Sequence, residues 1–256
     1  MPYKIKTVAK KSALDTEAIV SRSQDVLEQL YAHWRWVNLG VGLLLVGGLI
    51  WGGIAWFQAD QNRKARLLEY QAAQEISGVS NTDQNRQAKY QKAAEHYQEL
   101  LTNYPRSLSA PFAQYQLGNS YFELKQYDKA IAAYQDFISR YARHETLLPM
   151  VYLRLGYSHL LQGDSQAALA DFDQVIKHPK AWNKDQAYYE AGRVYEKLGD
   201  KTAAIGKYES LIKEFPTSSW GREAQIQLKA LGVFEQSVPP AGQSSPAPVP
   251  EQNEKK

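Results

Sequence analysis

One register of small and aromatic residues constrains this chain more than anything else in it. The pair Leu117-Gly118 is followed by Tyr121, Ala130 and Tyr134 at three, twelve and sixteen residues past the glycine. The same offsets from Gly156 reach His159, Ala168 and Phe172, and from Gly192 they reach Tyr195, Ala204 and Tyr208. Such a register predicts pairs of antiparallel helices in which the glycine lets the second helix approach closely, with Ala130, Ala168 and Ala204 answering from the other side. Gly163-Asp164 and Gly199-Asp200 read as a left-handed helix stop followed by an N-capping carboxylate, and Lys125-Gln126 with Asp128 as a weaker version. One hairpin cannot bury its own apolar face, so neighbours must stack.

The repeating pattern resembles the tetratricopeptide repeat. Its glycines are spaced 38 and 36 residues apart, longer than the usual figure of about 34, and the extra residues fall in loops such as 143–146. A degenerate first repeat precedes them. Ala65, Leu68, Ala72 and Ile76 share one side of a predicted helix, 78–85 is a polar break, and Ala93, Tyr97 and Pro105 keep the spacing of the later second helices. Residues 216–229 align without gaps on 105–118, with Lys229 in place of the glycine, which predicts a capping helix ended by Gly232. The five prolines of 236–256 predict a disordered tail.

Residues 39–57 carry no charge and span about 28 Å as a helix, the thickness of a bilayer's hydrocarbon core. Trp34, Trp36, Trp51, Trp56 and Phe57 crowd its ends as an interfacial belt would. An apolar run this long, far from Met1 and without a small-x-small site behind it, predicts an uncleaved anchor over a cleaved signal peptide. Gly48 and Gly52 form a GxxxG pair suited to helix packing, hence to a homodimer, although six of the chain's sixteen glycines lie in this segment and one such pair arises easily. Ahead of the span, Ile19, Val26, Leu27, Leu30, Tyr31 and Trp34 fall on one helical stripe. That stripe suits a membrane surface, a neighbouring protein or a plain stalk. The expected organisation is all-α: a tail over 1–36, one transmembrane helix over 37–57, a repeat solenoid over 58–232 and a proline-rich tail over 233–256.

Charge and composition exclude several functions. Residues 1–36 hold six Lys/Arg against four Asp/Glu and 58–256 hold 24 against 23, a balance unlike the clustered basic surface that nucleic acid demands. Equal lengths flanking the span carry six cations each, so charge leaves its orientation open. The absence of cysteine removes disulfides, thiolate nucleophiles, Cys-type zinc sites and a thioether lipid anchor. His33, His96, His144, His159 and His178 are scattered, with His159 expected as a packed histidine, and Asp171 and Asp173 are expected to be solvated. With no nucleotide or nucleophile motif in view, neither enzyme activity, nor a metal, nor any cofactor is expected.

The pieces Tyr104-Pro105-x-Ser107 and Phe215-Pro216-x-Ser218, each opening an Ala-rich helix, resemble repeats of bacterial envelope proteins such as the outer-membrane assembly lipoprotein BamD and the periplasmic protein YbgF. The order Trp34, span, Arg63 to Ala65, Tyr70, repeats is similar to that of YfgM, an inner-membrane protein associated with the translocon. That resemblance implies an N-terminus in the cytoplasm, repeats in the periplasm, and envelope proteins or peptides as partners near secretion or periplasmic chaperones. A scaffold that recruits such partners and a permanent subunit of a larger envelope complex both fit.

A binding surface is expected on the first helices, at six and three residues before and one and four after each glycine, where the spacing keeps them on one face. These offsets give Phe112, Tyr115, Asn119 and Phe122, then Met150, Leu153, Tyr157 and Leu160, then Gln186, Tyr189, Arg193 and Glu196. Eight are aromatic, Met or Leu, which predicts surplus apolar surface for a partner unless the groove is wound shut or covered. Carboxylate-clamp repeats would place lysine three before the glycine. Tyr115, Leu153 and Tyr189 stand there, which favours an apolar or aromatic peptide over an acidic C-terminus.

Overall fold

The computed structural model describes Tyr31, residues 34–80 and residues 82–233. The stripe residues Ile19, Val26, Leu27 and Leu30 and the tail over 234–256 lie outside the described residues. Among the described residues all regular structure is helical: α1 (Trp34–Ile76), α2 (Arg86–Asn103), α3 (Ala110–Glu123), α4 (Tyr127–Tyr141), α5 (Leu147–Gln162), α6 (Ser165–Lys177), α7 (Lys184–Lys197), α8 (Lys201–Glu214) and α9 (Ser219–Ala230). The chain divides into two compact units, Met1–Arg63 and Lys64–Lys256.

In the first unit, α1 runs uninterrupted through the expected boundary at 57. None of its apolar window is buried, and Leu44, Leu49, Ile50 and Trp51 are all exposed. Nothing lies within 4 Å of a Cβ added at Gly48 or Gly52, so both stand open. The indole of Trp34 stacks on Tyr31 with ring centroids 5.9 Å apart.

The second unit is a stack of helical hairpins. Its first hairpin pairs the part of α1 from Lys64 onward with α2. Ala65 and Ala72 are fully buried beside Ala93, Tyr97 and Leu100, while Leu68 and Ile76 pack at the margin. The clear repeats follow as α3–α4, α5–α6 and α7–α8, with α9 closing the last. Each glycine does admit its partner helix, but the group it admits is the ring sixteen residues on and not the alanine. A Cβ at Gly118 would stand 2.3 Å from Cε1 of Tyr134, one at Gly156 2.6 Å from Cε1 of Phe172, and one at Gly192 2.4 Å from Cε1 of Tyr208. Ala130, Ala168 and Ala204 are buried as well, yet the close approach is glycine to ring. The three rings are fully buried, each contributing roughly 1.5–3 kcal/mol of apolar burial.

The turns follow the sequence closely. Gly163 and Gly199 adopt φ of +90° and +80°, where an L side chain is strained. The carboxylates of Asp164 and Asp200 accept from the backbone N–H of Ala167 and Ala203 at 2.9 Å each. In the α3–α4 turn Lys125 takes φ of 59° without a glycine's freedom, and Gln126 makes no capping bond, leaving its buried Oε1 unpartnered. Gly232 ends α9 at φ +87°, with Val233 N–H donating to Leu228 O at 2.9 Å.

Candidate protein-binding cleft

The twelve first-helix positions separate by depth. Tyr115, Leu153 and Tyr189 are buried, which corrects the expectation that they offer surplus surface. Three residues before a glycine, a side chain lies against the ring seated on that glycine: Tyr115 is 6.4 Å from Tyr134 and Tyr189 5.9 Å from Tyr208, centroid to centroid, and Leu153 shares a core cluster with Phe172. Phe122, Met150 and Leu160 are half-buried at the margins of their clusters. Phe122 meets Tyr127 edge-on at 5.7 Å and carries the Arg154 guanidinium 5.5 Å from its centroid. Phe112 is partly exposed at the head of α3.

Tyr157 joins two repeats. Its ring meets Phe172 edge-on at 5.7 Å, its hydroxyl donates to Glu190 Oε1 at 3.0 Å, and it accepts from Gln186 Nε2 at 2.8 Å. Glu190 is buried, and loss of water raises its pKa against the lowering effect of Tyr157 and Arg193. Arg193 Nη1 lies 3.5 Å from Glu190 Oε2, with its own side chain 59% exposed. Asn119 and Glu196 accept the hydroxyls of Tyr134 and Tyr208 at 2.8 and 2.6 Å, so they too are partly occupied within their repeats.

Beside these bonds lies an open cleft of about 650 Å³. Tyr157, Leu160, Leu161, Glu190, Arg193, Val194, Glu196, Lys197 and Gln227 line it. It brings together four of the expected positions, Tyr157, Leu160, Arg193 and Glu196, and leaves out the first repeat. Its register is two before and one, two, four and five after the glycine, about one residue further round the helix than the spacing suggested. Leu161, Glu190, Val194, Lys197 and Gln227 were not expected there. The signal for them was available: glutamate two before Gly192 and glutamine two before Lys229 are aligned positions on adjacent first helices. Four apolar side chains and four charged ones give the cleft a mixed wall, able to hold an apolar anchor and to pair with polar flanks.

Between α5 and α6, His159 Nδ1 and Asp171 Oδ2 lie 2.7 Å apart. Both are largely buried, which corrects the reading of Asp171 as solvated. Loss of water pushes the Asp171 carboxyl up to about 6 despite the histidine. Asp173 is also engaged, accepting from Lys207 Nζ at 2.7 Å across the next repeat. No group of three His, Cys, Asp or Glu suited to a metal exists among the described residues.

Solved structures share the fold, among them the following three. A tetratricopeptide repeat protein from Parabacteroides merdae matches with TM-score 0.54 at 13% identity, over 66% of this chain and 60% of that one. PilW, a type IV pilus biogenesis factor, matches with TM-score 0.51 at 15% identity, over 63% and 67%. Kinesin light chain TPR-like repeats from Podosopora anserina match with TM-score 0.50 at 17% identity, over 66% and 85%. At these identities the likeness is one of fold: the hairpin stack is a tetratricopeptide-repeat solenoid. A sequence-family profile adds more, matching residues 79–232 under the description YfiO, outer membrane lipoprotein. As that match takes in more than half of the chain and the repeats just described, the chain belongs to the YfiO family.

Proposed function

We propose that this protein is a membrane-anchored scaffold of the bacterial cell envelope that holds a segment of another envelope protein in the cleft between α5, α7 and α9, with no catalytic step of its own. The cleft carries the reading: Leu160 and Leu161 offer an apolar seat, backed by the buried Val194, and Arg193, Glu196 and Lys197 a charged rim, the composition of a peptide-binding surface. The ligand is a peptide with an apolar anchor and polar flanks. Lipid attachment, which the family description names, has no cysteine to use in this sequence. The uncharged stretch over 39–57 takes its place as a single span of the inner membrane, because a helix with its apolar window wholly unburied has no favourable place in water. On this reading residues 1–36 are cytoplasmic and the repeats periplasmic, with partners near the translocon or periplasmic chaperones.

Two experiments test it. Leu161→Ser with Arg193→Ser alters exposed cleft side chains outside the core. With helicity unchanged, capture of partners from detergent extract should fall several-fold, and undiminished capture of every partner would refute the cleft. A stoichiometric, salt-resistant partner set indifferent to the cleft would instead indicate a permanent subunit. Alkaline phosphatase fused after the repeats should be active, and an inactive phosphatase beside a glowing fluorescent fusion would reverse the topology.

A further inference from the structure

The near-neutral sum of charges over the repeats hides an asymmetry between the two edges of the hairpin stack. One edge collects the α2–α3, α4–α5, α6–α7 and α8–α9 loops. The chain comes into the second unit at this same edge. Lys92 of α2 lies 4.0 Å from Glu75 and Tyr97 feels the charge of Glu69, so later positions of α2 face earlier ones of α1 and Lys64 stands at the α2–α3 end.

Two large apolar side chains project from these loops into solvent: Leu108 is 86% exposed and Trp182 is 68% exposed. A tryptophan held out on a six-residue interhelical loop has no packing reason to be there. The loops also bring Arg106, Arg143 and Lys180, with Lys184 opening α7. Arg140, Lys177 and Lys213 stand in the last turns of α4, α6 and α8, where they also complement the helix dipoles. Against these cations the edge sets Asp136, Glu145, Asp185 and Glu214, with Asp136 paired to Arg140 at 2.9 Å and Glu145 to Lys180 at 2.5 Å, which leaves Arg106, Arg143 and Lys184 as the cations of the loops. On the opposite edge Asp83, Asp128, Asp164 and Asp200 stand among the lysines and offset them.

We propose that the α2–α3, α4–α5 and α6–α7 loops form a docking surface for an anionic phospholipid bilayer, with Trp182 and Leu108 entering the headgroup region and Arg106, Arg143 and Lys184 pairing with lipid phosphates. Tryptophan's amphipathic ring suits that depth, and basic side chains suit the negative surface. The inference rests on the reading of 37–57 as a span.

The sequence has no cysteine, so Pro179→Cys supplies a unique spin-label site beside Trp182 and Gln166→Cys one on the opposite edge, both exposed positions. The full chain is reconstituted in phosphatidylglycerol-containing vesicles, and the labels are relaxed with oxygen dissolved in the bilayer against an aqueous nickel complex. The label at 179 should show a several-fold higher oxygen-to-nickel ratio than the label at 166. Arg106→Gln and Arg143→Gln should each lower the docked-to-undocked ratio roughly fivefold, and Trp182→Ser should lower it as well. Equal, water-like values at both positions would overturn the proposal. So would protection at 179 that arises only on adding soluble cell extract, since the edge would then be a protein interface. Carbonate extraction separates the two readings. A chain that resists extraction with an unprotected 179 keeps the span and loses the edge, whereas an extractable chain still protected at 179 on added vesicles loses the span and keeps the edge.

Discussion

The middle hairpin and its two neighbours share one frame and complete it with different chemistry. In α3–α4 and α7–α8 the ring on the glycine is a tyrosine whose hydroxyl reaches a first-helix acceptor, Asn119 at 2.8 Å or Glu196 at 2.6 Å. In α5–α6 the ring is Phe172, with no hydroxyl to place, and the polar link between helices is the His159–Asp171 pair at 2.7 Å. The glycine therefore selects for a flat ring and is indifferent to its polarity. What varies is where each repeat places its buried polar bond, and the middle repeat places it on a group that titrates.

The largest effect should come from the shared feature. Gly118→Ala sets a methyl 2.3 Å from a fully buried ring and should cost about 2–3 kcal/mol. Gly206→Ala, in α8 with nothing within 4 Å, should instead stabilise by roughly 0.5–1 kcal/mol, because helical glycine carries excess chain entropy. Urea unfolding of both variants checks the contrast.

Next is the titrating pair. The Asp171 carboxyl rises from 3.8 to about 6 on folding, so the folded state holds the proton more tightly than the unfolded chain. Its favourable contribution is fully present below about pH 4 and is lost as pH rises through about 6, on the order of 2 kcal/mol. Asp171→Asn removes that loss. The melting temperature of the variant relative to the native chain should climb from pH 4 to pH 7.5, and a gap that shrinks with pH would reverse the sign.

Smaller changes sharpen the comparison. Importing the glycine–aspartate stop of α5–α6 into the α3–α4 turn, as Lys125→Gly with Gln126→Asp, should stabilise by about 1 kcal/mol by relieving φ of 59° and supplying a missing cap. Tyr134→Phe makes the first repeat resemble the middle one and should cost about 1 kcal/mol. Phe172 tolerates the same absence because its repeat never builds the acceptor: the residue one past Gly156 is Tyr157, whose hydroxyl turns to Glu190 in the next hairpin.

The helix pairs, their stops and the capping helix were legible because they rest on local spacing. Glycine needs a neighbour, and the left-handed turn needs glycine. The depth of Tyr115, Leu153 and Tyr189 was not, since periodicity identifies a helix face but not which side of it the opposing ring covers. Asp171 was misread for a similar reason. Its distance from Phe172 along the helix says nothing about His159, twelve residues away and brought close only by the hairpin. The bonds of Tyr157 to Gln186 and Glu190 span about thirty residues between repeats. They depend on how hairpins stack, which no single repeat encodes.

The most direct measurement of the central claim is site-specific photocrosslinking in living cells. A photoreactive side chain is placed at Leu161 or Arg193 in the cleft, and at Ala170 or Glu209, exposed on the second helices. Discrete protein adducts are expected from 161 and 193, each lost when the other exposed wall residue is changed (Arg193→Glu with the probe at 161, Leu161→Asp with the probe at 193), with none from 170 and 209. Adducts of equal yield from all four positions, or from the second-helix positions alone, would contradict the claim.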